Sequence, residues 1–165
     1  MKLRLIDYGT GNIQSVKNAI EHIGHSIERI DSPDQLGDCD CLVFPGQGAF
    51  GPAIQRLQTL GFFKPINDYV YAKKPFLGIC LGFQLMFDES EESPHHHGLR
   101  AYSGKFNKFE PKNRSVPHMG WNSIQCNDAN HWLTQFNDQP FYFVHSYYLP
   151  NSSEPIQCHT DYGEP

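Results

Sequence analysis

In Lys74-Pro75-Phe76-Leu77-Gly78-Ile79-Cys80-Leu81-Gly82-Phe83-Gln84-Leu85-Met86-Phe87 the signals of a strand, a tight turn and a helix follow one another directly. Pro75 to Ile79 is mostly apolar and short, the pattern of a buried strand, while Leu81 to Phe87 carries apolar positions compatible with a helix. Gly78, Cys80 and Gly82 punctuate the junction between them. Cys80 is thereby expected on a tight strand-to-helix turn.

Gly-x-Cys-x-Gly has the logic of a nucleophile elbow. Flanking glycines let backbones approach closely, and the central residue is forced outward in a strained conformation. The helix that follows points its first free N–H groups toward the sulfur and toward any oxyanion formed beside it, which favours a thiolate there. The bland alternative is a buried structural cysteine that happens to lie between glycines.

Upstream, the chain alternates strands and helices. Leu3 to Asp7 reads as a strand, and Asp7-Tyr8-Gly9-Thr10-Gly11-Asn12 as a turn. Ile13, Val16, Ile20 and Ile23 then recur at helical spacing, with Asn12 as the N-cap and Gly24 as the stop. Ser26 to Ile30 makes a second strand and Leu42 to Phe44 a third. The glycine spacing of dinucleotide and phosphate loops is absent. Pro45-Gly46-Gln47-Gly48-Ala49-Phe50 follows the third strand; its glycines can present N–H groups to an oxyanion or make an ordinary turn. Phe50, Ala53, Ile54, Leu57 and Leu60 form an apolar helix face ended by Gly61, and Pro65 to Lys73 reads as another short helix. Strands separated by helices predict an α/β, doubly wound, mostly parallel sheet with the nucleophile at a strand's C-terminal end.

Downstream the character changes. Asp88 to Ser93 is acidic and polar, and His95-His96-His97 reads as a solvated loop, because successive loop residues do not converge on one ion. No metal and no cofactor are expected. Gly98 to Glu110 and Val116 to Cys126 alternate and are rich in aromatics and β-branched residues, which predicts antiparallel strands added to the sheet. Phe141 to Tyr148 reads as a further strand. His145 within it has the chemistry of a base for Cys80, and the sequence leaves that role open beside a structural one.

The 165 residues suit a single domain spanning 1–165, and a formal net charge of -5 without a basic run argues against nucleic acid as a partner. Five cysteines, odd in number and without a CxxC pair, predict free thiols in a reducing compartment. Cys39 and Cys41, two apart, are expected to share a strand face as packing residues. Neither a signal segment nor a membrane-length apolar run is present in the sequence, so a soluble cytoplasmic location with no membrane partner is expected.

The Cys80 stretch resembles the nucleophile motif of class I, triad-type glutamine amidotransferases. Ile6 to Asn12, His118-Met119-Gly120-Trp121-Asn122 and Tyr142-Phe143-Val144-His145-Ser146-Tyr147 narrow the resemblance to the glutaminase subunits of imidazole glycerol phosphate synthases. It runs from Leu5 to about Gly163, nearly the whole chain. The resemblance implies that Cys80 is the nucleophile and that the N–H groups of Gly48 and Leu81 are oxyanion donors. Gln84, with Gly48, Ser146 and Tyr147, would hold glutamine. Gln47 stands where the family has valine, which leaves the backbone role intact. Asn12 and Trp121 would lie toward a β/α-barrel cyclase subunit in a heterodimer; a plain helix cap explains Asn12 equally well and is compatible with that role, and the alternative for Trp121 is a core aromatic. The same resemblance assigns the catalytic histidine elsewhere and leaves His145 as part of the pocket frame.

What it implies for function is hydrolysis of glutamine to glutamate and ammonia, with the ammonia channelled to the cyclase of histidine biosynthesis. A paralogue feeding a sugar-amidating synthase and a non-catalytic interaction subunit are the alternatives. The family's His-Pro-Glu motif does not occur in this sequence, which ends at Asp161-Tyr162-Gly163-Glu164-Pro165. The expectation is a C-terminally truncated member that lacks glutaminase activity as written.

Overall fold

The computed structural model describes residues 1–111, 114–129, 131–150 and 156–163. Four strands, β1 (Leu3–Ile6), β2 (Ile27–Ile30), β3 (Cys41–Gly46) and β4 (Phe76–Cys80), form a parallel sheet in the order β2-β1-β3-β4. Between them run α1 (Ile13–His22), α2 (Phe50–Thr59) and α3 (Phe63–Tyr71). Parallel strands need crossovers, and these helices supply them on both faces.

Alternation along the strands sorts the core. Ile6, Ile30, Leu42 and Phe44 face one side and join Ile54 and Leu57 of α2 and Ile66 and Tyr69 of α3. Leu3, Leu5, Ile27 and Val43 face the other and meet Ile13, Val16 and Ile20 of α1. The first side is the larger and drier core. Asn12 caps α1 as predicted: its side-chain oxygen accepts from the Ser15 N–H at 3.1 Å, and Gly24 turns the chain out at φ +89.

Cys39 precedes β3 instead of lying on it. It packs into the larger core, while Cys41 packs toward the α1 side, so the expected shared face is corrected.

The helix after Cys80 is shorter than its apolar pattern predicts. α4 spans Leu81–Gln84 only. The carbonyls that a longer helix would use are taken by the returning chain: Leu99 N–H donates to Leu85 O (2.8 Å), Ala101 to Met86 O (2.9 Å) and Gly98 to Asp88 O (2.9 Å). Gly98 is required for this approach, since a Cβ there would sit 2.0 Å from Phe87 O. Residues 98–102 are therefore engaged in capping and do not run as a strand.

The later strands are antiparallel in the main, but they do not extend the parallel sheet as expected. β6 (Lys105–Lys108) pairs parallel with β5 (Glu89–Ser90) and antiparallel with β10 (Tyr147–Tyr148); β7 (His118–Ser123) pairs with β9 (Pro140–His145), and β8 (Gln125–Cys126) with β11 (Cys158–His159). The single aromatic strand expected over 141–148 breaks at Ser146, where the chain changes partner from β7 to β6 and the Ser146 carbonyl accepts from Phe109 N–H at 3.0 Å. Among the described residues, β4 is left as an edge of the parallel sheet.

Candidate active site

Cys80 ends β4 and is the N-cap of α4, at φ 54 and ψ −117. A cysteine at positive φ is uncommon, and such strain persists only where neighbours over-determine it. Three glycines do so here. A Cβ on Gly82 would lie 1.8 Å from Phe44 O; one on Gly78, 2.8 Å from Phe83 Cα; one on Gly46, 2.8 Å from Gly82 N. Only hydrogens fit between β3, β4 and α4, so the turn is drawn tight and the Cys80 thiol is exposed.

Gly46 is the register partner of Cys80. The loop that leaves β3 therefore rises beside the thiol, with Gly48 exposed at φ +99, a conformation suited to glycine. Leu81 is buried at the first position of α4. The turn after β1 packs against the same loop: a Cβ on Gly11 would lie 3.5 Å from Gly46 Cα and 3.7 Å from Gln47 N. Tyr8 from that turn is fully buried, and its hydroxyl lies 2.6 Å from where a Gly46 Cβ would be and makes no hydrogen bond. Burial pushes this phenol up to about 12; the nearby Thr10 hydroxyl pulls the other way, and charge on Cys80 acts with burial.

Above the elbow opens a cavity of about 730 Å³ whose walls include Cys80, Phe83, Gln84, His145, Tyr147 and Tyr162. Gln84 and Tyr147 are thus brought to the nucleophile's cavity. Ser146 and Gly48 are not among its lining residues; Ser146 adjoins it through Tyr147 and directs its carbonyl to Phe109. Burial raises the Tyr147 phenol, and the carboxylates of Glu92 and Glu91 add to the effect.

His145 has both ring nitrogens engaged. Nδ1 lies 2.8 Å from the Tyr147 carbonyl and Nε2 lies 3.0 Å from His118 Nδ1. Burial lowers the pKa of both imidazoles, and His118 is lowered further by the charge His145 would carry. Sequence reading missed His118 as a site residue. Strand parity could have found it, because His118 and His145 are directly paired across β7 and β9.

Asn12 is exposed beside the Gly11 contact. Trp121 is 71% exposed, which removes the core-aromatic explanation; its ring meets that of Tyr142 edge-on at 5.5 Å. Of the three adjacent histidines, His96 meets the Gln55 amide at 2.8 Å and His97 lies 3.6 Å from a Glu89 oxygen, so they face different partners.

The cysteine expectation needs a correction. Cys39, Cys41 and Cys80 are free, but Cys126 and Cys158 form a disulfide. They oppose each other in register on β8 and β11 with Cα atoms 4.0 Å apart, a proximity that spacing alone does not reveal. His131 lies close enough to make a metal-like triad, but both sulfurs are spent on each other. No helix among the described residues is long and apolar enough to cross a membrane.

Comparison with known proteins agrees with this geometry. The class-I glutamine amidotransferase family model matches residues 4–161. The subunit HisH of imidazole glycerol phosphate synthase from Methanothermobacter thermautotrophicus is 42% identical over 161 residues, covering 98% of this chain and 80% of that one. The chloroplastic imidazole glycerol phosphate synthase hisHF of Arabidopsis thaliana is 40% identical over 164 residues, covering 97% of this chain and 28% of that one. A crystal structure of a glutamine amidotransferase superposes with a TM-score of 0.72 at 12% identity, covering 94% and 79% of the two chains, which is a likeness of fold. On the extent of these matches, the chain belongs to the class-I glutamine amidotransferase family.

Proposed function

We propose that this chain is the glutaminase part of an imidazole glycerol phosphate synthase, acting through one amidotransferase domain over residues 1–165. The observation that carries the reading is Cys80, exposed at positive φ between interlocked glycines and opening into a cavity shared with Gln84 and Tyr147. In that setting the Cys80 thiolate attacks the side-chain amide carbon of glutamine, and the N–H groups of Gly48 and Leu81 receive the charge that develops on oxygen. Collapse breaks the C–N bond and releases ammonia once a general acid has given the leaving nitrogen a proton, the role the resemblance assigns to the His-Pro-Glu motif that does not occur in this sequence; the residues present account for glutamine binding and the attack by Cys80. Water then cleaves the thioester to glutamate. Gln84 and the backbone at Ser146 and Tyr147 orient the substrate. His145, with both nitrogens engaged, frames the pocket.

The hisHF relative, of which the chain matches 28%, supports a cyclase as the acceptor of ammonia, here as a separate β/α-barrel subunit in a heterodimer. Exposed Trp121 and Asn12 are suited to that contact. A cytoplasmic location suits such a biosynthetic role, while the Arabidopsis relative is chloroplastic.

A diazoketone analogue of glutamine tests the reading, because it alkylates only a thiol that the glutamine pocket delivers. Saturable labelling at Cys80, competed by glutamine and lost in Cys80→Ser, is expected by peptide mass spectrometry. Labelling that does not saturate, or that falls equally on Cys39 and Cys41, refutes the site.

A further inference from the structure

The His118–His145 pair lies outside the chemistry assigned to Cys80, yet His145 forms part of the cavity wall and His118 stands behind it. Its hydrogen bonds have a direction. The Tyr147 carbonyl can only accept, so His145 Nδ1 carries a proton. In a neutral ring Nε2 is then the acceptor, and His118 Nδ1, 3.0 Å away, must donate to it. The chain thus runs from His118 through His145 to the carbonyl of Tyr147, across the point where β9 ends and the chain changes sheets at Ser146.

His118 is held firmly enough to act as an anchor. It is 3% exposed and stacks on Tyr162 (3.7 Å between centroids) and on Phe143 (4.8 Å). The rings facing the pair are Phe109 and Phe143 against His145 and Tyr162 and Phe143 against His118, with Arg114 on the far side of Phe109 and Tyr162. The Arg114 guanidinium lies 6.0 Å from the Phe109 ring and donates to the Tyr162 and Gly163 carbonyls at 2.7 Å each. A first added proton is taken at His118 Nε2 and leaves the bond in place; only when both rings are charged does a hydrogen stand on both facing nitrogens.

We propose that His118 is a positioning residue for the glutamine pocket: through His145 it fixes the backbone at Ser146 and Tyr147, and it does so until both rings are charged. Acidification far enough to charge both imidazoles opens the His118–His145 hydrogen bond and loosens one wall of the pocket without touching the thiol. This inference rests on the glutaminase reading for its ligand. The directional pair itself stands independently, which separates the two tests.

Two measurements on the full chain decide it. In long-range proton–nitrogen NMR of isotope-labelled protein near neutral pH, both rings are expected as Nδ1–H tautomers, with a joint change as pH falls below about 6.5. In saturation labelling of Cys80 by the diazoketone, the half-saturating concentration is expected to rise about fivefold to tenfold over the same interval, the size of one lost hydrogen bond. Iodoacetamide, which needs no pocket, serves as the control for thiol reactivity at each pH.

His118→Phe keeps a stacking ring but removes the donor, and is expected to show the weakened half-saturation at neutral pH with no further acid step. His118→Asn restores a donor near the Nδ1 position and is expected to recover affinity near neutral pH, again without the acid step. Nε2–H tautomers on either ring, or an unchanged acid step in both variants, overturn the proposal. Tautomers as expected with no saturable labelling at any pH overturn the role in the pocket and the glutaminase reading together, leaving a structural pair.

Discussion

Replacing Gly82 with alanine puts the elbow geometry to its hardest test. The new Cβ would stand 1.8 Å from Phe44 O, 2.8 Å from Phe44 C and 3.2 Å from Pro45 C. To reach even the 3.0 Å floor of real contacts, α4 and β3 must separate by at least about 1.2 Å. Every atom in the way belongs to the backbone of β3, which is registered to β1 and β4, so no rotamer change relieves the clash. Overpacking that side chains can absorb costs about 1–3 kcal/mol. This case belongs at or above the upper end, about 3 kcal/mol, and for a chain of this size that lowers Tm by roughly 6–12 °C.

Urea unfolding at constant m-value measures the loss, with Gly24→Ala as the comparison. Gly24 also has positive φ, at +89, but nothing lies within 4 Å of its Cβ position, so its alanine variant is expected to show backbone strain of about 1–2 kcal/mol only. Saturable labelling of Cys80 should fall in Gly82→Ala and persist in Gly24→Ala. If Gly82→Ala is no less stable than Gly24→Ala, the interlocked-glycine account of the elbow is wrong.

Other outcomes follow from single features. Reducing the Cys126–Cys158 disulfide, which closes a loop of sequence separation 32, should cost about 3–4 kcal/mol by chain entropy, read as a drop in urea midpoint that Cys126→Ser reproduces. Tyr8→Phe removes a buried hydroxyl that makes no hydrogen bond, so unfolding free energy should rise or stay within about 0.5 kcal/mol; a large loss would reveal a partner for that oxygen. His118 and His145 have pKa values lowered in the fold from 6.5. The unfolded chain therefore binds more protons, so their contribution is fully present above about pH 6.5 and is lost as pH falls through the folded values. Urea midpoints across that window should decline toward acid, and less so in His118→Phe.

The first half of the fold was legible because its patterns are local. Helical spacing from Ile13 to Ile23 with a cap and a stop, strands of the right length, and the Gly-x-Cys-x-Gly junction each carry their own signal. α4 was misjudged because its end is set by residues 98–102, which compete for its carbonyls from a distance. The same dependence on remote partners hid the disulfide, the break at Ser146 and the departure of the later strands from the parallel sheet. Within the site, Cys80 and Gln84 were legible from one motif. The imidazole pair was not, since it exists only through the register of β7 with β9. His145 looked like a base from its residue type, and its engaged nitrogens became evident only with His118 in place.

The approach of Gly11 to Gly46 and Gln47 bears on how force crosses this molecule. Most contacts between a surface turn and a buried loop are made by side chains, whose rotations dissipate small displacements. Here one backbone faces another across about the width of a methyl group, since a Cβ on Gly11 would only just reach Gly46 and Gln47, and the neighbour of Gly11 in sequence is exposed Asn12. A displacement of that surface residue by a few tenths of an ångström is taken up in this gap, whereas one large enough to close it meets backbone with no side-chain rotor in between. The loop beside the thiol thus has clearance from the outside of the protein, with a threshold set by a missing side chain.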